Sequence, residues 1–527
     1  VVLDGNKLSF FHTGDEFAND DIIHLIFHGS SKIILEGKTG RFGTGFMTTH
    51  LLSRKVNIAG KLSDQTYFKF ELNREAIDVK QQQTNLENSY NLFCDSNNTI
   101  NYCDGIYNTV FTYNLSDHGI KVAHGGIRQL QEILPFVLAF NEKIEDIQID
   151  YKSSPISIKR GPKEEKIFEN YTIINQEIVL NDIIKYVVFV KLENSDVAVL
   201  MEKKERTIRI IELNEDYPKL FLDFPLFGTE KFGCPIVINS PNFDLRGERD
   251  GIYLSGDDKD KPSIIENKKI ISNSLNCLII LIKFISDKNN IAEIYNLFKI
   301  VKPFEYTWLH KIWLENLYIN IINDLLNSEI VKLKNKSISL NDMILPYSRS
   351  IDANHFYKLV TDLIHDLTPL FEEVNEWIKV ADGFSKLGSL DITKYRFIFN
   401  EEKLCEFIEE KKTLEEVNSY LIKNDPTKNT ELTPSINWFN KLFSLLSKEQ
   451  TTSLVSEYNI IPNQNKFLIK KNLNVPFLDR INNENIKDVS LSFGWDIRSE
   501  LIDQDVIFHE GIFIPQTIEK VLTKISK

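Results

Sequence analysis

The chain has 527 residues, 42% of them hydrophobic and 26% charged, which is an ordinary balance for globular domains. A single hydrophobic core rarely serves a chain of this length, so we expect two to four domains. The net charge of −13 argues against broad binding to nucleic acid or to an anionic membrane surface, and nucleic acid is an unlikely partner.

The cysteines and the apolar runs indicate the compartment. Five cysteines are scattered along the chain, and none forms a Cys-x-x-Cys pair. This spacing indicates neither a zinc site nor a disulfide framework, and it fits a reduced setting. The longest apolar run, around residues 275–285, is interrupted by Lys283 and is too short to cross a membrane. We therefore expect a cytoplasmic protein with no membrane partner and no metal-ligand cluster.

The first elements are predicted at the start of the chain. Val1–Leu3 and Leu8–Phe11 are strand-like, and the turn residues Asp4-Gly5-Asn6 between them indicate a hairpin. His12-Thr13-Gly14 then ends the second strand. A short helix is predicted over residues 20–28, because polar capping residues precede it.

Residues 37–52 follow and are the most informative part of the sequence. Their core, Gly40-Arg41-Phe42-Gly43-Thr44-Gly45-Phe46, leads into helix-forming residues. Glycines let the backbone approach a ligand, and the start of a helix offers free N–H groups and the positive end of its dipole. The segment is therefore predicted to bind phosphate, with a structural loop that binds no ligand as the alternative.

Spacing excludes two common phosphate-binding loops. A P-loop ending at Gly37-Lys38-Thr39 would need glycine at position 32, which is Lys32. A G-x-G-x-x-G loop starting at Gly43 would need a third glycine where Thr48 stands. The glycine loop must belong to another class.

Beyond the loop, strands are predicted at about 55–75 and at 109–115, and the polar residues 77–105 between them are expected to be irregular. Residues 123–140 have the pattern of an amphipathic helix, and several strands follow it. From Pro262 to about Lys448 the pattern is mainly helical. The predicted fold class is therefore α+β.

Three motifs give the chain a family resemblance. Gly40–Phe46 resembles the second glycine box of the GHKL ATPases, which include the ninety-kilodalton heat-shock chaperones, MutL-type mismatch-repair proteins, type II topoisomerases and histidine kinases. His12-Thr13-Gly14 stands where that superfamily has Asp-x-Gly. Thr109 opens a strand that is similar to the one carrying the superfamily's later threonine.

Further stretches are most similar to the sacsin-like subgroup. They are Ser30-Ser31-Lys32, Phe224–Glu230 and Asn242–Gly251. The resemblance covers about residues 1–255 and implies a Bergerat-type ATP-binding α/β sandwich in residues 1–115. It also implies a transducer-type α/β middle domain in residues 116–261. A helical domain (262–450) and a small mixed α/β module (451–527) would complete the chain.

The resemblance implies ATP and Mg²⁺ as cofactors, and it implies the residues that would hold them. The nucleotide-binding candidates are His12, Gly14, Ser31, Lys32, Gly40, Arg41, Phe42, Gly43, Thr44, Gly45, Phe46 and Thr109. The superfamily's middle domain sends a cation to the γ-phosphate, where it stabilises the charge of the transferred phosphoryl group. The catalytic candidates for that role are Lys231, Arg249 and Arg246, although each could equally be a surface charge or a partner of a nearby aspartate.

Two departures from the superfamily bear on this site. His12 replaces an aspartate that accepts from the adenine amino group, and a neutral imidazole can accept one such hydrogen bond. A structural turn residue is the alternative for His12. The helix with the general-base glutamate and the magnesium-binding asparagine would lie before Val1, and residues 1–50 do not clearly supply that amide. Hydrolysis therefore depends on whether the native protein carries that helix.

The leading hypothesis is an ATP-binding and ATP-hydrolysing conformational machine that acts on a protein partner. The resemblance implies a chaperone-like role, for which bacterial defence against phage is one setting, and it is compatible with a homodimer. The alternative is a nucleotide-gated binding scaffold without hydrolysis. A MutL- or topoisomerase-like DNA machine is a lesser alternative, because it would need a basic channel in a chain of net charge −13.

The glycine loop supplies a first prediction. We expect Gly43→Val to abolish ATP binding, because its branched side chain would block the approach of phosphate to the backbone. Isothermal titration of the full chain with Mg·ATP measures the affinity, and circular dichroism checks that the variant folds. Unchanged affinity in a folded variant would remove the phosphate-binding assignment of the loop.

Overall fold

The computed structural model describes residues 1–27, 49–96, 107–151, 154–247, 250–255, 261–288, 290–333, 336–424, 433–473, 475–481 and 483–526, with only the backbone at 154 and 422–424. The chain forms two compact units. The first contains Val1–Ile208, Leu220–Leu226 and Asn239–Pro241, and the second contains Arg209–Lys219, Phe227–Ile238 and Asn242–Lys527. Helices and a large mixed sheet are both present, so the predicted α+β class is confirmed at this level.

A mixed sheet organises the first unit. Its strands are β1 (Val2–Asp4), β2 (Lys7–His12), β3 (Lys55–Lys61), β4 (Tyr67–Asn73), β5 (Thr109–Asn114), β6 (Asp146–Tyr151), β7 (Ser154–Phe168), β8 (Tyr171–Leu180), β9 (Ile183–Lys191) and β10 (Asp196–Lys204). They hydrogen-bond in the order β10-β9-β8-β7-β6-β1-β2-β5-β3-β4. The β1–β6 pair is parallel, and the other neighbouring pairs in this series are antiparallel.

Helices α1 (Asn19–Ile26), α2 (Val79–Ser96) and α3 (Asp117–Phe140) accompany this sheet. Alternation in β4 turns Phe68, Phe70 and Leu72 into the core, where they join apolar residues of α1 and α2 such as Ile22 and Phe93. The apolar faces of strands and helices thus share one core at this end of the sheet.

The expectation of an irregular segment over residues 77–105 was wrong for its first part, because Val79–Ser96 is the helix α2. Leu86 and Phe93 are buried seven residues apart on one face, and the ring of Phe93 packs 5.7 Å from that of Phe68. Three consecutive glutamines and few apolar residues obscured this helical period in the sequence. Packing against β4 supplies the stabilisation that the local sequence lacks.

Helix α3 is held at both ends. At its start, the Ser116 hydroxyl accepts the Gly119 N–H at 3.2 Å, which is an N-cap. At its end, the guanidinium of Arg160 in β7 donates to the carbonyls of Leu138 and Glu142 at 3.0 Å and also to those of Asn141 and Ile144. The last carbonyls of a helix lack intrahelical donors, so Arg160 satisfies that of Leu138, binds carbonyls of the turn that follows and places a cation at the negative end of the dipole.

Four short strands lie within residues 207–239, where successive chain segments belong alternately to the first and the second unit. They are β11 (Thr207–Ile210), β12 (Leu220–Leu222), β13 (Phe224–Pro225) and β14 (Val237–Asn239). From residue 262 onwards, helices dominate the described part of the chain. They are α4 (Pro262–Asn276), α5 (Leu278–Ser286), α6 (Lys311–Asn327), α7 (Ala353–Leu363), α8 (Phe371–Gly388), α9 (Glu401–Glu409), α10 (Leu414–Asn424), α11 (Thr433–Leu445), α12 (Lys448–Glu457), α13 (Glu484–Ser492) and α14 (Ile518–Ile525).

Short strands accompany these helices in the second unit. The strands are β15 (Ile291–Ala292), β16 (Glu329–Leu333), β17 (Lys336–Ser339), β18 (Leu345–Pro346), β19 (Ile398–Phe399), β20 (Ile461–Pro462), β21 (Leu468–Ile469), β22 (Leu478–Arg480) and β23 (Pro515–Thr517). A large core runs through α7, α9, α10, α11 and α12, and the Trp438 indole N–H donates to the Leu359 carbonyl inside it. The buried polar end of this tryptophan is therefore satisfied.

One helical stretch in the described residues, Pro262–Ser286, is long and apolar enough to cross a membrane. Of its most apolar window, 61% is buried inside the protein, and Cys277 separates it into α4 and α5. Burial of this extent is typical of core helices.

A buried ionic network holds the C-terminal part of the second unit. The Lys487 ammonium is fully buried and donates to Asp479 and Glu484 at 2.6 Å and to Gln464 at 3.0 Å. Asp479 also accepts from the amides of Gln464 and Gln504 at 2.8 Å. Burial raises the pKa of Asp479, but the hydrogen bond from Lys487 and those from Gln504, the Ile481 N–H and Gln464 outweigh it and lower the pKa to about 2.

We predict that Lys487→Met destabilises the second unit by about 3–5 kcal/mol, because it leaves the Asp479 carboxylate buried without its cation. The control Arg498→Met removes the cation that pairs with the exposed carboxylates of Glu484 and Asp488 and should cost about 0–1 kcal/mol. Urea unfolding measures both changes. The depressed pKa also means that the stabilisation is present above pH 3.8 and is lost as the pH falls towards 2. Equal losses in the two variants would contradict the buried-network account.

Candidate functional site

The strand register brings two predicted site residues together. In the β2–β5 pair, His12 lies opposite Thr109, Phe10 opposite Phe111 and Leu8 opposite Tyr113. In the β3–β5 pair, Thr109 lies opposite Gly60. Because directly opposed residues point to the same side of a sheet, His12 and Thr109 share the face that carries the core at this end of the sheet.

Asn108 fixes the His12-Thr13-Gly14 turn against this strand pair. Its side-chain amide donates to the Gly14 carbonyl at 2.8 Å, and its backbone N–H donates to the His12 carbonyl at 2.9 Å. Its own carbonyl accepts the Lys61 N–H at 2.9 Å. Gly60 makes room for this contact, because a Cβ there would lie 2.7 Å from the Asn108 carbonyl oxygen. One residue thus links the end of β2 to β3 and β5.

The His12 ring lies among phenylalanines. Its centroid is 6.3 Å from those of Phe10 and Phe111 and 5.9 Å from that of Phe17. Burial lowers the pKa of His12, so the imidazole is neutral at physiological pH. A neutral imidazole carries one N–H donor and one nitrogen acceptor.

The neighbouring hydroxyl of Thr109 is a buried polar group without a partner. Its side chain is 0% exposed, and its Oγ1 atom makes no hydrogen bond within the described residues. A buried hydroxyl left in this state costs about 1–3 kcal/mol, and such groups are few in native proteins. A ligand atom that pairs with Oγ1 would recover this free energy.

The residues that follow the glycine loop are anchored near the same strands. Thr49 is hydrogen-bonded to the buried hydroxyl of Tyr113, whose face of β5 also carries Thr109. His50 Nε2 lies 3.3 Å from the Arg74 guanidinium, which also donates to the Leu25 carbonyl. Arg74 is only 5% exposed, and burial lowers its pKa to about 10, against the opposing effect of the Tyr113 hydroxyl. Arg74 therefore joins the chain segments before and after residues 28–48.

Helix α3 packs against the backbone at Leu52 through Gly119. A Cβ at Gly119 would lie 2.4 Å from the Leu52 carbonyl oxygen, which is closer than real contacts allow. The absence of a side chain therefore lets the first turn of α3 rest on the backbone that follows the glycine loop.

The candidate cations occur in the second unit. Lys231 is exposed. Its backbone N–H donates to the Tyr306 hydroxyl at 2.9 Å, and its ammonium lies 5.4 Å from the Phe304 ring centroid. The Arg246 guanidinium contacts both carboxylate oxygens of Asp250 at 3.0 and 3.2 Å. Arg246 is thus engaged with an aspartate of its own loop. Arg249 lies outside the described residues.

The structure therefore places only some of the predicted site. His12, Gly14 and Thr109 come together, whereas Ser31, Lys32 and the loop Gly40–Phe46 lie outside the described residues. Sequence interpretation missed Asn108, Arg74 and Gly119. Asn108 could have been noticed because it directly precedes Thr109, and Arg74 because a lone arginine ends an alternating strand.

Two of the glycines in α3 give a matched test of the contact with Leu52. We predict that Gly119→Ala destabilises the first unit by about 1–3 kcal/mol, because the added methyl group must displace backbone. In the same helix, nothing lies within 4 Å of a Cβ at Gly125, so Gly125→Ala should stabilise by about 0.5–1 kcal/mol through helix propensity. Urea unfolding measures both changes, and effects of the same sign would contradict the close approach.

No protein-family model matches the chain, and a search of curated proteins finds no match. The interpretation of the site therefore depends on its residues and their geometry.

Proposed function

We propose that this chain is an ATP-binding and ATP-hydrolysing protein of the GHKL type, close to the sacsin-like subgroup, which changes conformation with nucleotide and acts on a protein partner. The proposal includes a Bergerat-type sandwich in residues 1–115, a transducer-type domain in residues 116–261 and a cytoplasmic setting. The observation that carries it is the buried Thr109 hydroxyl, which lies in the strand position opposite His12 and has no partner in the part of the chain that the structure describes.

The pairing of these two groups supports a base-binding position. Thr109 Oγ1 and the His12 ring lie at neighbouring strand ends, and phenylalanine rings surround His12. A purine base has an apolar face and a polar edge, so it would complement an apolar position that has two hydrogen-bonding groups, provided that it reaches the buried Thr109 hydroxyl. Binding would pair the Thr109 hydroxyl, which has no hydrogen-bond partner among the described residues.

The anchoring of Thr49, His50 and Leu52 supports a phosphate-binding position nearby. These residues follow Gly40–Phe46 closely in the sequence. Thr49 is hydrogen-bonded to Tyr113 in the strand that carries Thr109, His50 contacts Arg74 after β4, and Leu52 contacts Gly119 of α3. Backbone N–H groups of a glycine loop at a helix start are suited to bind phosphate. The base and the phosphates of one nucleotide would then be bound by adjoining parts of the chain.

Magnesium enters the proposal with the nucleotide, because Mg²⁺ in nucleotide sites is held chiefly by phosphate oxygens, water and one or two protein ligands. Among the described residues, no group of three or more His, Cys, Asp or Glu side chains is arranged to hold a metal ion. We therefore assign no residue of this chain to the ion and derive no catalytic step through it.

The state of Arg246 favours a second candidate function, a nucleotide-gated scaffold without hydrolysis. Arg246 is paired with Asp250, and a cation held in an ion pair must leave that carboxylate before it can contact a phosphate. Steady-state phosphate release by the full-length native protein separates the two functions. Turnover supports the ATPase, whereas tight ATP binding without turnover supports the scaffold.

The Thr109 hydroxyl provides the test of the site. We predict that Thr109→Val leaves the nucleotide-free protein as stable or more stable, by up to about 1 kcal/mol, because an unsatisfied buried hydroxyl is removed. The same change should weaken ATP binding about tenfold, since it deletes a hydrogen bond of about 1.4 kcal/mol to the ligand.

Thr112→Val is the matched control for this test. Thr112 lies in the same strand on the opposite face, and its hydroxyl is 3.3 Å from that of Ser9. Its loss should lower stability slightly and leave ATP affinity unchanged. Thermal unfolding and isothermal titration measure both quantities. Equal ATP affinity in the wild type and in Thr109→Val would refute the proposed base position.

A further inference from the structure

The two polar groups at the proposed base position share a chemical property. Neither has a fixed hydrogen-bonding polarity, because a neutral imidazole offers a donor or an acceptor according to its tautomer, and a hydroxyl can rotate to donate or accept. Within the described residues, no hydrogen bond to the His12 ring fixes its tautomer, and Thr109 Oγ1 has no partner that fixes its rotation. A carboxylate at either position would only accept.

Purine bases differ in polarity at their 6-position. Adenine presents an amino group that donates, whereas guanine presents a carbonyl oxygen that accepts. A protein site distinguishes the two when its own groups have fixed polarity, because the wrong base then leaves a buried group unpaired. A pair of groups that can each donate or accept satisfies both bases.

The aromatic rings that lie near His12 in the described structure are apolar. The rings of Phe10, Phe17 and Phe111 lie within about 6 Å of the imidazole, and Phe10 is 44% exposed at this face. Stacking on aromatic side chains tolerates every base, since each has a similar π-face. The apolar contacts therefore contribute affinity without selecting between purines.

We infer that the substrate class of this site is purine nucleoside triphosphates with either a 6-amino or a 6-oxo group, so that GTP is bound as well as ATP. This inference rests on the proposed nucleotide site and goes beyond it, because it assigns His12 as the residue that sets base selectivity. The acceptance of either 6-substituent follows from the His12–Thr109 pair.

The test compares ATP and GTP on the full chain by isothermal titration in the presence of Mg²⁺. In the wild type, we expect the two dissociation constants to agree within about tenfold. His12→Asp fixes an acceptor, so GTP affinity should fall at least about tenfold while ATP affinity stays within about threefold. His12→Asn keeps one donor and one acceptor on its amide, so it should still bind both nucleotides.

His118→Asp is the control for the added charge, because His118 is exposed in the first turn of α3, and it should leave both affinities unchanged. Wild-type protein that binds ATP and rejects GTP by more than about a hundredfold overturns the inference and leaves the proposed function standing. Equal weakening of both nucleotides by His12→Asp also overturns it. If neither nucleotide binds the wild type, the proposed function itself is refuted. If His12→Asp does not fold, the ATP and GTP affinities of the wild type and of His12→Asn still decide whether the site accepts both bases.

Discussion

The antiparallel register of β2, β5 and β3 is the constraint on which the candidate site depends. Side chains alternate along a strand, so a slip of one residue would turn His12 and Thr109 to the other face. The same slip would expose Leu8, Phe111 and Ile58, which are buried beside them. Apolar burial therefore fixes the register, and the two polar groups occupy positions that other residues stabilise.

Two kinds of buried polar groups coexist in this chain. Around Lys487, each charge has partners of opposite polarity, so the network specifies one packing arrangement and leaves no group for a ligand. Thr109 is the reverse case, because its hydroxyl is buried within the described structure and lacks a partner. Other buried polar atoms of the described structure, such as Ser263 Oγ, also lack a partner, so the position of Thr109 opposite His12 is what makes it the candidate for binding.

Local patterns in the sequence predicted the first hairpin, the strand beginning at Thr109 and the helix now seen as α3, because alternation, turn residues and helical period act over short distances. The helix α2 was missed because its stability comes from packing on β4. Asn108, Arg74 and Gly119 contact residues that are far from them in the chain, so no local pattern could reveal these contacts. For Arg246, the sequence was compatible with a phosphate or a nearby aspartate as the partner of its guanidinium, and in the structure that partner is Asp250.

The attachment of α3 has a mechanical consequence. With 24 residues at 1.5 Å each, the helix is a rod of about 36 Å. One end rests on the Leu52 backbone, and the other is tied by Arg160 to β7. Pro135 lies inside this helix and removes one backbone N–H donor from it, so the contacts at its two ends are what hold its position. Helix α3 thus connects the backbone at Leu52 directly with β7, over the length of the helix and apart from the intervening strands.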